Sequence, residues 1–368
     1  MFKKAVICII ISVGLFFSSI YVNFFCFNGI ALPAEYWVAE IIHLKVKYAK
    51  SLANEPKVIV MAGSNSLFGF STEIFQKEIG RPVLNLAVHA SLPLTYKKSL
   101  ILEYAKPGDI VIMPLEYSLY FDDGKLNLWV LNQYIAWGKN EKNFIDSRHF
   151  YEILGSLLRS LPSRYIDAIF HPKYLFREQP ICSDNELNKL FNTAPAVFLT
   201  NETYNINSSG KFGEFFYRTT PNDYIKNKAN EGITYIDQTT PNKYVMDQLV
   251  DLNHELRKRD VKLLLTYPVS IKNKDFSLKN NNHFKKLDQL VKNIEEHDLL
   301  FFGNPYLYNM PIDNFSDTEY HLNAKGNILR TLYLATDFNQ FIKNNTSIRS
   351  ESDIKKYANE IFLQYSKQ

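Results

Sequence analysis

Residues 57–69 read Lys57-Val58-Ile59-Val60-Met61-Ala62-Gly63-Ser64-Asn65-Ser66-Leu67-Phe68-Gly69, and this stretch decides the fold. A short apolar run rich in β-branched residues and closed by glycine is the pattern of a strand buried on both faces, as parallel sheets require. A helix is expected next, over Ser71–Ile79, with Ser71 placed to cap its N-terminus. The alternation then repeats: strand Val83–Val88, helix Leu94–Ala105, a Pro107-Gly108 turn and strand Asp109–Met113. Farther along, Asn242–Arg259 reads as an amphipathic helix, Val261–Tyr267 as a fourth strand, His283–His297 as a helix and Leu299–Phe302 as a short fifth strand. Asn323–Phe341 closes the pattern, and a last amphipathic helix covers about Ser352–Tyr365. Strands alternating with helices predict an α/β fold, a three-layer doubly wound parallel sheet of about five strands with right-handed crossovers. The stretch from about Tyr117 to Thr240 breaks the rhythm. It holds helix-like pieces near Phe150–Ser160 and Tyr165–Phe170, then a polar, irregular run around Asn192–Tyr235, and reads as a large insertion outside the sheet.

Toward the N-terminus, Met1-Phe2-Lys3-Lys4 precedes an uncharged, largely apolar run from Ala5 to about Phe27. That run is long enough for a helix to cross the roughly 30 Å hydrocarbon core. Lys3 and Lys4 flank its start and no Lys or Arg follows until Lys45, which favours a cytoplasmic N-terminus. Residues 1–33 are therefore read as a membrane anchor and 34–368 as one exported domain, beginning with a helix over Ala34–Leu52. A cleaved signal ending near Gly29-Ile30-Ala31 is the other reading, although the run exceeds the usual apolar core of roughly 7–15 residues. Either way the domain is expected outside the cytoplasm; with a retained anchor it is tethered to the membrane by a single pass.

The 368 residues are 46% hydrophobic and 22% charged, an ordinary globular composition, and the net charge of +4 is spread without a dense basic block. Nucleic acid is not an expected partner. Cys8 and Cys26 fall in the apolar run, which leaves Cys182 alone and excludes an internal disulfide or a cysteine zinc site. His43, His149, His171, His254, His283 and His297 are scattered without metal-ligand spacing. No P-loop or Gly-x-Gly-x-x-Gly motif occurs, so no cofactor and no metal is expected.

Chemistry concentrates at two places. Ser64 follows the first strand and projects from the carboxyl edge of the sheet, where functional loops of doubly wound folds lie. A serine needs an adjacent base, and His321, in Asp317-Thr318-Glu319-Tyr320-His321-Leu322-Asn323, follows the last strand and opens onto the same edge. Asp317 is placed to orient the imidazole, the third role of a triad; Glu319 is the alternative. His89 and Glu116, at the ends of the second and third strands, line the same cleft. A plain turn or anion-binding loop at Gly63-Ser64-Asn65 and a solvated Asp317/His321 loop are the non-catalytic readings of the same residues.

The joint arrangement resembles the SGNH (GDSL-like) hydrolase superfamily, and most closely its membrane-anchored bacterial branch, found with surface-polysaccharide and teichoic-acid acylation systems. Ala62-Gly63-Ser64-Asn65-Ser66-Leu67-Phe68-Gly69 matches that branch's nucleophile motif with Ala62 for the first glycine, and Asp317 to Leu322 match its Asp-Thr-x-Tyr-His-Leu motif. Val83–Leu92 and Pro107–Tyr117 resemble the blocks between. The resemblance implies an extracytoplasmic serine acyl-ester enzyme with Ser64, His321 and Asp317 at its centre. Its partners would be an acyl donor, an exported glycan and, alongside in a bacterial cytoplasmic membrane with the domain facing the periplasm, an integral acyltransferase. Three departures stand out. The second-block glycine is absent, so Ala90 or Ser91 would supply an oxyanion N–H. The third-block Gly-x-Asn is replaced by Pro114-Leu115-Glu116-Tyr117, leaving Asn65 or a backbone group as substitute donor. The Asp-to-His spacing is one residue longer than usual. A non-catalytic glycan-binding or scaffold protein is the competing reading.

Overall fold

The structure, a computed structural model, describes residues 2–26, 34–52, 55–138, 141, 144–145, 147–170, 182–201, 204–218, 220–343 and 351–367. In chain order the elements begin with α1 (Phe2–Cys26), α2 (Tyr36–Ser51), β1 (Val58–Val60), α3 (Ser64–Leu67), α4 (Thr72–Ile79), β2 (Val83–Asn85), α5 (Leu94–Tyr104) and β3 (Ile110–Met113). The insertion contributes α6 (Leu128–Ala136), α7 (Phe150–Phe170), α8 (Asp184–Thr193), β4 (Leu199–Thr200), β5 (Phe216–Tyr217) and α9 (Asp223–Glu231). Then follow α10 (Lys243–Arg257), β6 (Lys262–Thr266), β7 (Ser270–Ile271), α11 (Asn281–Glu295), β8 (Leu300–Phe302), α12 (Pro305–Tyr308), β9 (Asn309–Met310), α13 (Ala324–Lys343) and α14 (Glu351–Tyr365).

The chain divides into two compact units, one of residues 1–39 and 125–181, the other of 40–124 and 182–368. The second unit holds the expected sheet. Five strands run parallel in the order β2-β1-β3-β6-β8, with Val58 opposite both Val83 and Ile110, Ile110 opposite Lys262 and Leu264 opposite Leu300. Every residue of β1, β2 and β3 is buried, as the continuous apolar runs require. Chain direction across the sheet reverses at β1, so right-handed crossovers put α4 and α5 on opposite faces. There α4 packs with α13, and α5 with α10. Ser71 caps α4 by accepting from the Ile74 N–H, and Gly80 ends it in the left-handed region. Asp109 fixes the edge of the sheet away from the carboxyl ends. It accepts from the Lys57 ammonium at 2.7 Å and from the Lys57 and Lys106 N–H groups, each at 2.8 Å.

The insertion is not one body. Residues 182–240 belong with the sheet, where β4 pairs parallel to β5 and Val197, Leu199 and Phe216 pack with Ala324 at the start of α13. Residues 125–181 group with the N-terminal helix. In that first unit Phe2–Val22 forms a helical stretch of 21 residues, long and apolar enough to cross a membrane and with none of it buried. The unit's polar centre is Glu35, whose carboxylate accepts from the indole N–H groups of Trp37, at 2.8 Å, and Trp129, at 3.0 Å. The Gln133 side-chain oxygen accepts from the Glu35 N–H at 2.7 Å and from the Trp137 indole at 3.0 Å.

Candidate active site

In a sheet of this order ligands bind outside the carboxyl ends of the strands where the winding reverses, between β1 and β3. Ser64 opens α3 directly after β1, and Glu116 follows β3. The turn between them is drawn together by Glu116. One carboxylate oxygen accepts from the Gly63 N–H at 3.1 Å and the other from the Asn65 N–H at 2.9 Å. Gly63 has an ordinary φ of −85°; what demands glycine is the close approach, because a Cβ there would meet the Glu116 carboxylate and lie 2.7 Å from the Ala90 Cα. The second-block loop is thus pressed against the nucleophile turn.

Behind the turn, Asn65 is fully buried and its amide donates to the Pro114 carbonyl at 2.9 Å. Arg330, reaching from α13 and also fully buried, donates to the Ser66 hydroxyl at 3.2 Å and stacks over the Phe70 ring. Burial lowers the Arg330 pKa to about 10, against the pull of Tyr308 and Glu116. Asn65 and Arg330 therefore stiffen the turn from the core side.

His321 lies in the loop before α13, 6% exposed, with Ser64 equally covered at 6%. Its Nδ1 is 3.0 Å from Asp317 Oδ1. A carboxylate can only accept there, so the proton sits on Nδ1 and Nε2 is left as the basic nitrogen. Asp317, rather than Glu319, is the orienting carboxylate, since Glu319 binds Lys228 at 2.8 Å. The longer Asp-to-His spacing thus still closes a hydrogen bond. Tyr204 donates to the other Asp317 oxygen at 2.9 Å. Burial alone would raise the Asp317 pKa, but the His321 and Tyr204 hydrogen bonds outweigh it and hold the carboxyl below its ordinary value.

The Phe68 ring, one turn after Ser64, stacks on the His321 ring at 4.0 Å between centroids, and its N–H closes onto the Ser64 carbonyl at 3.0 Å. Phe215 and Tyr217 stack on Phe68 at 5.0 and 5.4 Å, and Tyr204 meets it edge-on. This aromatic wall comes from the insertion and seats the imidazole against the nucleophile turn. The Ser64 hydroxyl makes no hydrogen bond to His321 in this structure, and the Ser64 and Ala90 N–H groups have no acceptor among the described residues.

The second-block loop is set by Lys97, a buried ammonium that donates to the Ala90 carbonyl at 3.0 Å and to the carbonyls of His89 and Leu92. Burial lowers its pKa to about 8, opposed by the attraction of Glu116 and Asp122. The Ser91 N–H is taken by His89 Nδ1 at 3.2 Å, which leaves Ala90 as the loop's available donor. Burial, Lys97 and His321 together push the His89 pKa down to about 3, so it stays neutral.

Of the residues singled out in the sequence, Ser64, Glu116, Ala90 and Asn65 meet at one turn, and Asp317 joins His321 beside it. Asn65 faces the core instead of the cleft, and Glu116 holds backbone amides. Tyr204, Lys97 and Arg330 were not legible as site residues; nothing in their spacing marks them, and only the folded chain brings them in. A cleft of about 610 Å³ lined by Lys272, Lys279, Tyr306, Lys325 and Tyr333 shares no residue with this site. No cluster of His, Cys, Asp and Glu suited to a metal ion occurs among the described residues.

No family model matches the chain, and no curated protein does. Among solved structures, the crystal structure of protein YxiM from Bacillus subtilis matches at 10% identity with a TM-score of 0.34, over 81% of this chain and 59% of that one. The chain thus spans less than two thirds of that protein's length, and the relation is a distant one of fold from which nothing about chemistry follows.

Proposed function

We propose that this chain is a serine acyl-ester enzyme tethered by α1 with its sheet domain outside the cytoplasm, moving a small acyl group on an exported glycan. The observation that carries this is the Asp317–His321 pair at 3.0 Å, stacked through Phe68 on the turn that bears Ser64. His321 Nε2 takes the Ser64 proton as the oxygen attacks the acyl carbonyl, and Asp317 steadies the imidazolium that forms. The tetrahedral oxyanion is received by the Ser64 and Ala90 N–H groups. Collapse expels the donor's alkoxide, which takes the proton back from Nε2 and leaves an acyl-serine. A sugar hydroxyl, or water, then repeats the sequence in reverse. With no third-block side-chain donor the enzyme is expected to be slow, since one missing oxyanion donor costs roughly 100–1,000-fold. Transfer to sugar is the direction the resemblance supports, with an integral-membrane acyltransferase as a candidate source of the acyl group.

The lack of a Ser64–His321 hydrogen bond favours a second reading, a glycan-binding protein with a silent site, although such contacts often tighten only when substrate docks. The test is active-site labelling. The full chain in detergent should react with a fluorophosphonate probe and hydrolyse an acetyl ester. Ser64→Ala and His321→Ala should each abolish both, and the double variant should be hardly worse, because the two act as one unit. An unlabelled wild type, or full ester turnover by Ser64→Ala, establishes the binding reading instead.

A further inference from the structure

In the first unit, α7 is joined to α1 by the Tyr165 hydroxyl, which hydrogen-bonds both the Ser19 hydroxyl, at 2.9 Å, and the Ser19 carbonyl, at 3.0 Å. Ser19 is inside the apolar run from Ala5 to about Phe27, of which Phe2–Val22 alone is long enough to cross a membrane. It lies about eight residues before the end of that run, or about 12 Å at about 1.5 Å per residue. The turn of α7 that carries Tyr165 therefore lies at the level of the acyl chains of a membrane crossed by α1.

The side chains of α7 at that level are apolar and bare. Ile166, Ile169 and Phe170 are 54%, 75% and 74% exposed. Their i, i+3, i+4 spacing puts them on one face. Two turns earlier the same face carries the exposed Arg159, whose Nε donates back to the Gly155 carbonyl at 3.1 Å. The guanidinium is thus aimed away from the apolar turn. Over about 10 Å of helix the face passes from cation to hydrocarbon, which is the depth profile of a leaflet read from headgroup to acyl chain.

We infer that the C-terminal turn of α7 is a second membrane contact, with Ile166, Ile169 and Phe170 seated among the acyl chains of the leaflet from which α1 emerges. This rests on the proposal that α1 spans the membrane, and it adds to that reading. The occupant is lipid because this turn is joined through Tyr165 to α1, whose own apolar surface is of the kind that faces acyl chains. A single anchoring helix leaves an exported domain free to swivel. Two contacts at one interface fix how α7 and its unit meet the bilayer, and bring them to the lipid surface at a set angle.

The test is depth-dependent quenching in the full chain, after Cys8→Ala, Cys26→Ala and Cys182→Ala. Ile169→Cys and, separately, Leu15→Cys carry an environment-sensitive nitrobenzoxadiazole probe in phosphatidylcholine–phosphatidylglycerol vesicles, with or without doxyl-labelled phosphatidylcholine. Ile169 is an exposed position, so the probe leaves the packing of α7 intact. The expected result is quenching of both probes by about two-fold or more, as burial at the acyl boundary requires. Quenching at Leu15 with none at Ile169 overturns the α7 contact and leaves the spanning helix standing. Quenching at neither overturns both. An unquenched Ile169 probe whose emission tracks the protein-to-lipid ratio assigns the face to a second copy and also overturns the contact.

Discussion

Glu116 occupies the place where the resembled family carries an amide donor, and a carboxylate there does different work. It can only accept, and it accepts from the Gly63 and Asn65 N–H groups on either side of Ser64. It acts on the chemistry by holding the nucleophile turn, so it is a positioning residue. Glu116→Ala would orphan two buried amides at roughly 1–3 kcal/mol each and should lower both melting temperature and kcat. Glu116→Gln keeps the volume but sets an NH2 against one of the two donors. It should lower kcat by about 10–100-fold with a smaller thermal shift, a split that a purely structural residue would not produce. Asp317 acts on the ring instead. Asp317→Asn should cost up to about 10,000-fold in kcat through the wrong tautomer, less than the loss on removing Ser64. Because its folded pKa lies below the ordinary value, the stability it contributes is present at neutral pH and is lost only as pH falls through that lowered value. Thermal melts along an acid series should therefore show this contribution disappearing only below the ordinary carboxylate range, and Asp317→Asn should remove that part of the acid dependence. The positions of Ser64, in the turn after β1, and of Asp317 and His321, in the loop before α13, were legible from the strand–helix alternation and the residue types in those loops. Their supports were not, because Lys97 and Arg330 look like surface charges in a linear chain and are fully buried in the fold.

At the scale of elements, the insertion is fastened to the sheet through Glu214, just before β5. Its buried carboxylate accepts from the Thr72 N–H and hydroxyl at the start of α4 and from the Asn85 amide at 2.7 Å at the end of β2. Lys45 of α2, also buried, donates to the Asn85 carbonyl at 2.9 Å. Burial raises the Glu214 pKa from 4.5 to about 7, against the attraction of Lys45. Across that interval the folded chain binds more protons than the unfolded one, so this group's contribution to stability falls as pH rises from 4.5 to about 7. Glu214→Ala leaves Lys45 without its counter-charge and should destabilise by about 3 kcal/mol. Lys45→Met with Glu214→Gln should cost less than the two single changes added, measured by thermal melts in detergent at about pH 5 and about pH 8. None of this was visible beforehand, since Glu214 lies 142 residues from Thr72. Other elements of the insertion did carry local signals. Ser183-Asp184-Asn185-Glu186 forms a complete capping box that opens α8, and Asn222 caps α9. The polar composition around them obscured both helices. The reverse case is α7, read as pieces near Phe150–Ser160 and Tyr165–Phe170, where one helix runs through Pro162; a proline removes one hydrogen bond and clashes locally, which packing can override.

For the molecule as a whole, the parallel sheet and the edge bearing the site followed from strand–helix alternation and handedness, which operate on any chain of this pattern. The division into two units did not, because it depends on which half of the insertion finds which partner. One consequence of that division is optical. All three tryptophans, Trp37, Trp129 and Trp137, fall in the first unit, gathered on Glu35 and Gln133. The sheet that bears Ser64 contains no indole, while tyrosines occur in both units. Indole emission is therefore a private channel to the unit built on α1, and far-ultraviolet circular dichroism reports chiefly on the larger one. If the units melt independently, the two signals should give different midpoints, whereas a single cooperative molecule would make them coincide. A ligand that docks at Ser64 should lift the dichroism midpoint and leave the colour of the tryptophans unchanged.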